Sequence, residues 1–75
     1  MVEAYVLVTA AVGKVRDVLP ELKKVKSVKD VKIITGPYDL IALVETEDMT
    51  KLTESVIEKI RKIEGVLDTN TSIVV

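Results

Sequence analysis

Two kinds of apolar spacing alternate along the chain. Residues 2–10, VEAYVLVTA, are β-branched or small and contain no breaker, the composition of a strand. Gly13 closes the loop that follows. From Lys14 the period changes: Val15, Val18, Leu19, Leu22 and Val25 recur at helical spacing. Lys14, Arg16, Asp17, Glu21, Lys23 and Lys24 fall on the other side, so this is a surface helix with one apolar stripe. Pro20 removes the bond to the Arg16 carbonyl. It lies off the stripe, and a kink toward solvent is the expected accommodation. Residues 28–35, VKDVKIIT, read as a second strand and LIALVET as a third, with the turn Gly36 to Asp39 between them. Glu47 or Asp48 caps a second helix whose apolar positions are Met49, Leu52, Val56, Ile57, Ile60 and Ile63. Lys59, Arg61 and Lys62 suit its negative C-terminal end, and Gly65 is placed to end it in a left-handed conformation. VLDTNTSIVV forms a fourth strand running to the last residue.

The order is βαββαβ, and its halves resemble each other. A shift of 38 residues superimposes Ala4 on Ala42, Val6 on Val44, Lys24 on Lys62, Val25 on Ile63, Val28 on Val66 and Asp30 on Asp68. Two matching βαβ halves predict an α+β, ferredoxin-like fold: a four-stranded antiparallel sheet with both helices on one face. Residues 1–75 are expected to form a single domain with no linker or low-complexity segment.

That fold leaves one sheet face without helices, and such a face is ordinarily polar. Here it is not. Val2, Ala4, Val6 and Val8 share one face of the first strand, and Tyr5 and Leu7 share the other. Leu40, Ala42 and Val44 likewise alternate with Ile41 and Leu43. A monomer would expose an apolar patch to water, so the open face is expected to pack on another subunit. A chain of 75 residues buries only about 60% of the surface its unfolded form exposes, which favours the same outcome.

Composition narrows the function. There is no Cys and no His, so disulfides, thiolate metal sites and a His-based general base are excluded, and no metal or other cofactor is expected. The formal net charge of −1 lacks the electrostatic footprint of a nucleic-acid binder. The longest apolar run is far too short for a bilayer, and the basic start of a signal peptide is absent, so a cytoplasmic location is expected. Val, Ile, Lys and Glu dominate, Gln is absent and Asn occurs only at Asn70, a mix that points to a thermophilic source.

Three stretches carry candidate chemistry, each with a plainer reading beside it. Gly36, Pro37, Tyr38 and Asp39 are ordinary turn formers. They also suit an amino-acid zwitterion, with backbone N–H groups for a carboxylate and Asp39 for an ammonium group. Thr69 and Thr71 point the same way from the last strand; they are either β-favouring edge residues or hydroxyls lining a pocket. Lys23, Lys24, Lys26, Lys29 and Lys32 read as a solvated helix end and a blunted strand edge. No aromatic residue interleaves with them to stack bases. The alternatives that this fold hosts are disfavoured. Metal carriage lacks a Cys pair, RNA recognition has only Tyr5, and an acylphosphatase-like phosphate loop would need more than the lone Gly13 of TAAVGK. No nucleophile–base pair is evident, so the chain is read as non-enzymatic.

AYVLV, a Gly before a helix, VKDV followed by ITGPYDLIALVE, a helix ending IEGV, and TNTSIVV together resemble the effector domain of the Lrp/AsnC (feast/famine) regulators, known as RAM. The resemblance spans the whole chain. It implies the βαββαβ fold, sheet-against-sheet dimers of the dimeric α/β-barrel type, and further assembly into octamers or similar rings. It also implies amino acids bound in clefts between dimers. Gly36, Tyr38 and Asp39 would then meet the ligand's carboxylate and amino group, and Thr69 and Thr71 its side chain or polar ends. Members of this family usually begin with a helix-turn-helix domain. This chain starts at the first RAM strand, so it is expected to be a stand-alone effector domain that does not read DNA itself. It would sense an amino acid and modulate transcription through its assembly or through a full-length regulator. The alternative is a structural or adaptor module in which no ligand binds.

Overall fold

The computed structural model describes residues 1–75. Its elements are β1 (Val2–Ala10), α1 (Val15–Lys23), β2 (Val28–Ile33), β3 (Leu40–Thr46), α2 (residues 49–61) and β4 (Val66–Ile73). The sheet is wholly antiparallel in the order β2-β3-β1-β4, the arrangement of a ferredoxin-like fold. Ala4, Val6, Val8, Leu40, Ala42 and Val44 form the sheet side of the core. Val18 and Leu22 of α1 and Leu52, Val56 and Ile60 of α2 close it from above. Val15, Leu19, Val25, Ile57 and Ile63 pack around its margin, as the helical stripes require.

The internal repeat becomes geometry. Tyr5 pairs with Leu43, and these two are related by the 38-residue shift, so the pseudo-twofold axis passes through that pair. Both helices leave in the same way: Val25 N–H donates to the Leu22 carbonyl and Val28 to Val25, while their counterparts Ile63 and Val66 donate to Ile60 and Ile63. Lys29 in β2 and its counterpart Leu67 in β4 are both extra residues at β-bulges. The symmetry fails at β4. Ile33 pairs with Leu40, whose counterparts are Thr71 and Val2, yet Thr71 pairs with Val6. β4 has therefore slid along β1, which brings the Gly65 carbonyl onto the Ala11 N–H at 2.7 Å.

Four details depart from the sequence reading. β2 ends at Ile33 and β4 at Ile73, although Val74 N–H still donates to the Glu3 carbonyl at 2.9 Å. Met49 is not on the buried stripe; it is 46% exposed in the first turn of its helix. α2 is not uniform either. Residues 52–56 are π-helical between two α-helical segments, with the Ile57 N–H bonded to the Leu52 carbonyl. Of the two cap candidates, Asp48 takes the position, its Oδ1 accepting from Lys51 N–H at 2.8 Å. Pro20 lies inside α1 on its exposed side, while Val18 and Leu22 remain fully buried.

Candidate functional site

The face opposite the helices has an apolar centre. Tyr5 and Leu7 of β1 pair with Leu43 and Ile41 of β3, and none of the four is buried. Polar residues surround them: Glu3 and Glu45 at one end, Asp30 and Lys32 on β2, and Asp68, Asn70 and Ser72 on β4. An apolar centre inside a polar rim is the anatomy of a protein interface.

The Gly36–Asp39 turn stands at one end of this face. Gly36 adopts φ +117°, a region open to little but glycine, so the turn is committed to that residue. Asp39 knits three strands together. Its N–H donates to the Val8 carbonyl at 2.9 Å, its carbonyl accepts from Ile34 N–H at 2.9 Å, and its Oδ2 accepts from Ala10 N–H at 2.9 Å. A short carboxylate beside the first residue of β3 thus satisfies the amide that the β1–β3 ladder leaves behind after Val8. Its Oδ1 has no hydrogen-bond partner in the chain.

Tyr38 is half-buried, and its hydroxyl accepts a hydrogen bond from Asn70 Nδ2 at 3.0 Å. Asn70 pairs with Leu7 and so shares the open face. Thr69 and Thr71 pair with Val8 and Val6 and lie on the helix side of β4, both half-buried. The structure therefore brings Gly36, Tyr38 and Asp39 to one place and puts the threonines on the other face of the edge strand. Sequence reasoning missed Asn70, although a signal existed: it is the chain's only Asn, and it sits between two residues of opposite facing. The contribution of Ala10 is a backbone group and leaves no mark in the sequence.

A single chain does not enclose the turn. The larger cavity, of about 360 Å³, lies at the far end of the sheet between the α1–β2 connection, the end of β3 and α2. No three His, Cys, Asp or Glu side chains converge as a metal site, and no helix is long and apolar enough to cross a membrane.

Residues 3–75 match the sequence profile described as the Lrp/AsnC ligand binding domain. An uncharacterized HTH-type transcriptional regulator of Pyrococcus abyssi is 37% identical over 70 residues, covering 93% of this chain and 44% of that protein. The chain thus spans about half the length of the curated regulators it matches. The crystal structure of FFRP-DM1 superposes with a TM-score of 0.92 at 39% identity, covering 100% of both chains. The Neisseria meningitidis transcriptional regulator NMB0573, solved as a complex with L-methionine, shares the fold with a TM-score of 0.86. It is 21% identical, over 99% of this chain and 49% of that one.

Proposed function

This chain belongs to the Lrp/AsnC ligand-binding domain family, and from that premise we propose that it is an amino-acid-binding effector domain whose sites form where copies of the chain meet. The observation that carries this reading is the uncovered apolar centre of the sheet with the Gly36–Asp39 turn at its end. A second copy seated on that face removes Tyr5, Leu7, Ile41 and Leu43 from water. Further association of such pairs encloses the turn, which one chain leaves open to solvent. There the unpartnered Oδ1 of Asp39 holds the ligand's ammonium group and turn N–H groups hold its carboxylate. The methionine bound by the Neisseria regulator supports an amino acid as the ligand class.

The output is assembly rather than chemistry. A ligand that favours one assembly shifts the equilibrium by its differential affinity for the two states. The helix-turn-helix relatives support transcription as the process controlled, through this domain's own assembly or its association with a full-length regulator in the cytoplasm. No reaction is assigned to a chain with neither His nor Cys.

One observation favours a second reading, a scaffold that binds no ligand. Asp39 Oδ2 and the Tyr38 hydroxyl already have partners within the chain, as a purely architectural turn requires. Titration calorimetry with each standard amino acid, methionine included, separates the two. Saturable heat for one or a few, lost in Asp39→Ala, is the expected result. Heat from none of them up to about 1 mM would leave the scaffold.

A further inference from the structure

The cavity at the far end of the sheet plays no part in that reading. It is lined by Lys26, Lys29, Lys51 and Lys59, with the hydroxyls of Ser27 and Ser55 among them. We propose that this cleft is a second binding site, for a small phosphate ester.

The chain's formal net charge is −1, yet four lysines converge here. Only Lys51 among them has an ion-pair partner, Glu47 at 3.4 Å. Lys26, Lys29 and Lys59 have none, so three ammonium groups of the lining are free to meet an anion.

The repeat supplies an internal control. The counterparts of Lys26, Ser27 and Lys29 in the second half are Glu64, Gly65 and Leu67. Those of Ser55 and Lys59 on the first helix are Asp17 and Glu21. Related positions thus carry Lys26 and Lys59 in the cleft and Glu64 and Glu21 in the other half. Nothing in the fold itself demands lysine at these places.

Local geometry adds a feature confined to the second half. Ser55 lies within the π-helical stretch of α2, which α1 lacks. Such stretches cost stability and recur at functional sites.

The chemistry selects the ligand. Lysine offers a compact ammonium that binds phosphate oxygens as a point charge. Serine hydroxyls add donors. Glu45 and Glu47 complete one wall and can accept from ligand hydroxyls, which favours an ester of a polyol over a bare anion. A volume of about 360 Å³ falls in the range of small-molecule pockets.

The test is an amide NMR titration of the intact chain with ribose 5-phosphate and, separately, with inorganic pyrophosphate. Saturable shifts at Ser27, Lys29, Ser55 and Lys59, with Gly36 to Asp39 unmoved, are expected with ribose 5-phosphate. Lys29→Ala and Lys59→Ala should each weaken binding about tenfold, and Lys24→Ala, outside the cleft, should leave it unchanged. Tighter binding of pyrophosphate would overturn the ester assignment in favour of an inorganic anion. The site itself is overturned by an absence of saturation with either probe up to about 10 mM, or by binding indifferent to Lys29 and Lys59. The amino-acid reading is tested by different amides and stands or falls separately.

Discussion

The Tyr38 hydroxyl and the Asn70 side-chain amide meet at 3.0 Å, tying the turn before β3 to the far edge strand β4 across β1. The contact is exposed, so its net worth is small, under about 1 kcal/mol. Its effect is on the turn. In a double-mutant cycle of Tyr38→Phe and Asn70→Ala, a coupling below about 1 kcal/mol is expected by chemical denaturation. Either substitution should speed hydrogen exchange at Gly36 and Tyr38. Unchanged exchange would mean that the bond does not hold the turn.

Asp39 acts more deeply. Asp39→Ala leaves the Ala10 N–H without its charged acceptor, at a cost of about 1.5–3 kcal/mol. Urea unfolding measures this directly. Asp39→Asn keeps an acceptor oxygen and should recover a good part of the loss. If both variants lose amino-acid binding while Asp39→Asn stays nearly as stable as the parent, charge at Oδ1 rather than turn geometry holds the ligand.

Two glycines with positive φ separate conformational strain from crowding. At Gly36, φ +117°, a Cβ would meet nothing within 4 Å, so Gly36→Ala carries only backbone strain, about 1–3 kcal/mol. At Gly65, φ +100°, a Cβ would lie 3.0 Å from both Lys14 Cβ and Val18 Cγ2. Gly65→Ala should therefore cost more than Gly36→Ala, because it also pushes α1 away from the end of α2. Thermal unfolding of the pair tests the order; equal losses would show that the helices yield freely.

On the open face, Leu43→Lys places a charge at the pseudo-twofold axis without touching the core. Sedimentation velocity is expected to show a shift to the monomer with far-UV circular dichroism retained. An unchanged assembly would place the subunit contact elsewhere.

Much of this was legible from spacing alone. The two helical stripes and the 38-residue repeat led to the correct elements, because each buried face needed a partner and two matching βαβ halves supply one across a four-stranded sheet. The π-helical stretch was not legible: Leu52, Val56 and Ile60 keep a helical spacing whichever carbonyl the backbone N–H groups choose. Met49 fits the stripe by sequence but precedes the stretch that rewinds it, and it ends exposed. At the site, the turn chemistry of Gly36, Tyr38 and Asp39 showed in the residues themselves. The facing of Thr69 and Thr71 did not, because the extra residue at the Leu67 bulge resets the alternation along β4. A one-residue change of register would have turned them to the open face.

The hydrogen bond from Val74 N–H to the Glu3 carbonyl brings the two chain ends together at one corner of the sheet. A unit whose ends emerge side by side can be spliced into another chain, or tethered from either end, with little change to its own packing. The same closeness permits circular permutation: joining residue 75 to residue 1 and reopening the chain in another loop would preserve every strand pairing. Met1 also lines the lysine cleft. Anything attached at either end would therefore emerge beside that cleft and far from the Gly36–Asp39 turn.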